Sequence, residues 1–129
     1  MISKNDCMNL ILDMVPEFKP AWQTHLDFWG EDEAGLSNDI SAFASFFISD
    51  VTKLSIEKRQ EIFLFVEKCL KEGDAFVKDA VATCFLENLL NAVSDEIISS
   101  ESFIPYLGEE AIAFCKSWDE FTGINTPGL

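Results

Sequence analysis

The chain has 129 residues and sets 9 Lys and Arg against 23 Asp and Glu, a formal charge of −14. With 48% hydrophobic residues, among them 12 Phe and 3 Trp, it is too apolar to stay disordered and long enough for one domain with a real core. So acidic a surface repels nucleic acid and anionic membrane, and no unbroken apolar run is longer than Ile62 to Val66, far short of the roughly 18 residues a membrane span needs.

Apolar residues recur at helical spacing almost throughout, with no strict alternation, no repeat at fixed period and no low-complexity segment. The expectation is an all-α compact bundle of about five to seven helices, one domain over residues 1–129. The first helix runs from Lys4 to Met14, with Met8, Ile11, Leu12 and Val15 on one face, and Pro16 ends it. Pro20 suits the first turn of a second helix that ends near Trp29. Its stripe is Trp22, Leu26 and Trp29, with His25 beside it, and Gly30 is a fitting C-terminal cap. Ser37 is the expected N-cap of a third helix, whose face is Ile40, Phe43, Ala44, Phe47, Ile48 and Val51.

Ser55 opens a fourth helix, Ile56 to about Glu72, lined by Ile62, Phe63, Val66, Cys69 and Leu70 and widened by Leu64 and Phe65. Gly73-Asp74 is a tight turn, and a fifth helix extends to about Val93 through Phe76, Val77, Val81, Cys84, Phe85, Leu86, Leu89 and Leu90. So short a connection makes these two helices an antiparallel hairpin, and their broad apolar surfaces place it at the centre. Pro105 breaks residues 94–107. A last helix, about Gly108 to Thr122, buries Ala111, Phe114, Cys115, Trp118 and Phe121, and the tail "GINTPGL" reads as loose.

The four cysteines, at 7, 69, 84 and 115, form no CxxC pair and lie in apolar helical segments, as small core residues do. Cys69 and Cys84 on the hairpin are offset by roughly 9 Å along the axis, beyond bridging distance. With a single histidine, a zinc site of the usual composition is not expected, nor is any other metal or cofactor. His25 has only Asp27 nearby in sequence, and that residue points elsewhere on a helix, so His25 reads as a core-edge residue without a catalytic partner. The run "GEDE" lacks the alternate acids and central glycine of a helix-loop-helix calcium site. The adjacent pair Asp119 and Glu120 diverges on a helix, unlike paired glycosidase carboxylates, and there is no Gly-rich phosphate loop. The chain is not expected to be an enzyme. Its N-terminus makes a poor signal peptide, so the cytosol is the expected compartment.

Recognition remains. Residues 1–50 carry −7, residues 51–80 carry zero and residues 81–129 carry −7. A surface charged this way attracts a basic partner and speeds encounter, although acidity also serves plain solubility. The candidate contact residues are those richest in charge or exposure: Asp27, Phe28, Glu31, Asp32, Glu33 and Asp39 around the second helix and its loop, then Glu109, Glu110, Asp119 and Glu120 on the last helix.

The segments "MVPEFKPAWQTHL", "FASFFISDV", "IFLFVEKCLKEGDAFVKDAVATCFLENLL" and "YLGEEAIAFCKSWDEF" resemble, in that order, a family of small all-α bacterial immunity proteins found beside polymorphic toxins, including contact-dependent growth inhibition systems. The resemblance covers about Asp6 to Phe121 and rests on helix-packing patterns, not on catalytic signatures. It implies tight binding of one cognate toxin domain, many of which are basic nucleases, and blockage of that domain's active site. It carries no defined contact residues. Two other readings stay open: an acidic cytosolic helical adaptor or regulator of another basic protein, and an enzyme built on a carboxylate pair.

Overall fold

A computed structural model describes residues 1–129 and contains seven α-helices and no strand, the all-α bundle expected. The helices are α1 (Lys4–Met14), α2 (Lys19–Trp29), α3 (Leu36–Asp50), α4 (Ile56–Glu72), α5 (Ala75–Ala80), α6 (Glu87–Ser94) and α7 (Glu109–Thr122). A π-helical stretch, Val81–Leu86, joins α5 to α6, so residues 75–94 form one unbroken rod. None of the helices is long and apolar enough to cross a membrane.

The rod is the axis of the bundle: α3, α4 and α7 all pack along it, and α1 closes over α3 and α5. Its centre is a cluster of phenylalanine rings. Phe85 stacks on Phe43 at 5.4 Å and meets Phe47 and Phe63 at 5.8 and 5.9 Å, and Phe63 passes the contact on to Phe103 at 6.0 Å. Such pairs add to the burial of their large apolar area. The wide π turn accommodates about one extra residue, which rotates the buried face. Phe85 and Leu86 therefore point inward while Cys84 is half-exposed, and the Thr83 and Asn88 side chains donate to the carbonyls of Asp79 and Cys84. Regular helical spacing placed Cys84 on the buried stripe, and the π turn is why it is not there.

The N-terminal strap is tied to the hairpin turn. Ile2 N–H donates to the Glu72 carbonyl at 3.0 Å, and Asp74 N–H donates to the Ile2 carbonyl at 2.8 Å. All four cysteines are free. The neighbour of Cys69 is Cys7 on α1, not Cys84. A hydrogen bond from the Cys69 thiol holds Cys7 below its ordinary value and Cys69 above its own. Burial pushes the Cys115 thiol up to about 12.

Several expectations need correcting. The third helix starts at Leu36 after Gly35, with Ser37 already inside its first turn and no side-chain cap. Phe46 is buried as well as Phe43 and Phe47, because α3 is covered by Phe18 on one side and by the rod on the other. Leu26, Leu64, Phe76 and Phe121 are exposed; the helical stripes are narrower than their apolar content. The tail is docked, not loose. Both Asp119 carboxylate oxygens accept from Thr126, through its N–H and its Oγ1, each at 2.7 Å, and Thr126 is buried.

Candidate functional site

Helix α2 has no fully buried residue. It lies over α3 through one face on which Trp22, His25 and Trp29 recur at i, i+3 and i+7. Trp22 reaches the core through Phe18, 5.9 Å away, whereas Trp29 lies outside the core cluster. The indole and imidazole rings form a row, with Trp22 and His25 at 5.3 Å and His25 and Trp29 at 6.4 Å.

The loop from Gly30 to Gly35 carries the chain from α2 back to α3. Gly30 has φ +61° and ψ −120°, and Gly35 has φ +84° and ψ +159°, backbone regions that side-chain-bearing residues avoid. The two glycines thus permit the turns that bring Glu31, Asp32 and Glu33 round between the helices. The result is an open cleft of about 360 Å³ between α2, the loop and α3, with Trp22, His25, Trp29, Asp32, Glu33 and Asp39 among its lining residues. That is the lower end of the range for small-ligand sites.

His25 Nε2 and Asp39 Oδ1 are 2.8 Å apart across the floor of this cleft. The pair joins α2 to α3 and gives the histidine the acidic partner that Asp27 could not provide. Asp32 and Glu33 make no side-chain hydrogen bond or ion pair and face solvent. The cleft's one lining cation, Lys4, has its Nζ 4.7 Å from the centre of the Phe76 ring.

The ten expected contact residues divide accordingly. Asp32, Glu33 and Asp39 gather in the cleft. Glu31 is exposed on the same loop but does not line it. Asp27 points away and accepts from Gln23 Nε2 at 2.9 Å. Phe28 is 82% exposed, meets Trp29 edge-on at 5.9 Å, and borders a second shallow groove on the other side of α2. Glu109 and Glu110 are exposed on the first turn of α7, packed on α4, and Asp119 and Glu120 line a separate cleft beside the C-terminal tail. Asp119 holds that tail in place, so its carboxylate is already engaged.

Reading the sequence missed Trp22, His25 and Trp29 as one lining face. Their i, i+3, i+7 spacing was the available signal. It pointed equally to burial, and only the shallow seating of α2 leaves the row open. No group of three or more His, Cys, Asp or Glu side chains is gathered as a metal ion would need.

The family described as "Domain of unknown function (DUF7674)" matches residues 8–123, and the chain belongs to it. No curated protein and no solved structure matches the chain.

Proposed function

We propose that this DUF7674 member is an immunity protein, which binds one cognate bacterial toxin domain and blocks its active site without chemistry of its own. A basic nuclease is the toxin class that the charge favours. The observation that carries this reading is the gathering of Asp32, Glu33 and Asp39 with two indoles around one open cleft, on a chain of net charge −14. Complementary charge steers encounter and fixes register, and aromatic anchors within a polar rim supply most of the binding energy in protein interfaces. The whole-chain resemblance to immunity proteins gives the partner its class. The cytosol is the compartment in which such a toxin would be met.

Co-expression with the toxin domain encoded beside this gene tests the reading. The expected outcome is survival of the cells and a complex that co-purifies at low salt. Cell death with no complex overturns it. Capture of a basic protein unrelated to any toxin would favour an acidic adaptor instead.

A further inference from the structure

We propose that the α2–α3 cleft is a socket for one arginine side chain of the partner. The inference deepens the reading above and rests on it for the source of the arginine.

Three features of the cleft point to a guanidinium. Its wall is aromatic: Trp22 and Trp29 flank His25 in a row, and Trp29 is not used by the core. Indole is the strongest of the natural faces for a cation, and guanidinium stacks on it where an ammonium does not. Its rim is anionic: the carboxylates of Asp32 and Glu33 have no partner within the chain, and only Oδ1 of Asp39 is taken, by His25. A carboxylate with two free oxygens accepts two parallel N–H bonds from a guanidinium, which adds direction to the attraction. Its geometry is held by the folded helices: the His25–Asp39 contact pins α2 to α3, and Gly30 and Gly35 permit the positive-φ turns that bring the loop back between them. Preorganisation of this kind lowers the ordering cost of binding. The arrangement also gives a role to Trp29, a large aromatic that the core cluster does not use, on a helix that buries none of its residues fully.

The socket can be probed without the partner. The full chain, labelled with nitrogen-15, is titrated with Nα-acetylarginine methylamide, its neutral citrulline isostere and the lysine analogue, and the three indole N–H signals are followed. Trp118 is an internal control, because its Nε1 donates to Glu87 at 3.1 Å on the α7 side of the bundle. The expected result is a saturable shift of Trp22 and Trp29 with the arginine probe in the millimolar range, a smaller one with lysine, none with citrulline, and no movement of Trp118. Glu33→Gln and Trp29→Ala should each weaken the arginine probe by about fivefold, and Glu33→Gln should leave thermal unfolding unchanged because that side chain is exposed and unpaired in the chain. Equal shifts with citrulline, a shift at Trp118 of the same size, or no saturable shift overturns the socket. If the arginine probe binds and the toxin domain does not, the socket stands and the immunity reading fails; if the toxin binds with Trp22 and Trp29 unmoved, the reverse holds.

Discussion

At the scale of single residues, the polar side chains with most structural consequence are those that join elements distant in the chain. Asp74 is the clearest. Its Oδ1 accepts from Val77 N–H at 2.8 Å, which caps α5, and its Oδ2 accepts from Lys4 N–H at 2.9 Å, which caps α1. One carboxylate thus serves two helix N-termini, where backbone donors and dipoles both favour a negative charge. The Val77 bond foremost, and then those from Lys4 and Phe76, hold Asp74 below its usual value of 3.8. Because the folded value is the lower one, this contribution to stability is present above the unfolded value of 3.8 and is lost as pH falls through the folded one. Asp74→Asn keeps an accepting oxygen but removes the charge. The expected outcome is a lower urea midpoint than wild type near neutrality, with the gap narrowing progressively as pH falls below 3.8. A gap that does not narrow in acid would reject the role of charge. The α5 half of this cap is legible in "GDAF", because Asp after a helix-ending Gly is a familiar start signal. The α1 half is not, since residues 4 and 74 meet only in the folded chain.

At the scale of elements, the same distinction recurs at α7. This helix begins after Gly108 with no side-chain cap of its own. Glu67, from the middle of α4, reaches across instead: its Oε2 accepts from Glu110 N–H at 2.7 Å and its Oε1 from Ala111 N–H at 3.0 Å. A side chain at position 108 would place its Cβ about 2.5 Å from Glu67 Cδ, so the glycine makes room for the cap. Lys71, one turn on, sits 3.7 Å from Glu67 Oε2, and the Glu67 side chain is only 12% exposed. Glu67→Ala should cost about 1–2 kcal/mol, measured as a lower urea midpoint at unchanged slope. An unchanged midpoint would mean that water replaces the cap at no cost. The limits of α1, α2 and α4 follow from prolines, glycines and Ser55, local signals that act over three or four residues. The π turn in the central rod and the capping of α7 carry no such signal, because they arise from what packs against them.

At the scale of the whole molecule, charge is distributed unevenly along the chain. The termini-proximal parts carry the excess acid, while residues 51–80, which include the structural α4, are balanced. The Glu31, Asp32 and Glu33 triplet is the densest point of the acidic part and sits on a glycine-bounded loop that no core residue depends on. Reversing all three to Lys should slow association with a basic partner by about tenfold at low salt and flatten its salt dependence, while thermal unfolding stays within error. Stopped-flow association over a salt series measures this. An unchanged low-salt rate would place the contact elsewhere, with Glu109 and Glu110 on α7 the next surface to reverse.

The helical character of the chain, the limits of most helices, the central hairpin around Gly73-Asp74 and the acidity of the surface are all legible in the amino-acid order. These are consequences of short-range rules: apolar period, proline and glycine geometry, and charge count. Which acids are engaged inside the fold and which are free emerges only when the helices pack together. Asp119 and Thr126 meet because the tail turns back after Gly123, and His25 meets Asp39 because two glycines reverse the chain between them. Hydrogen bonds between residues many positions apart depend on how helices cross, and helix crossing is set by the packing of whole faces. The same reason leaves Trp22 only half-buried against Phe18 and Trp29 outside the core, so that both line an open cleft.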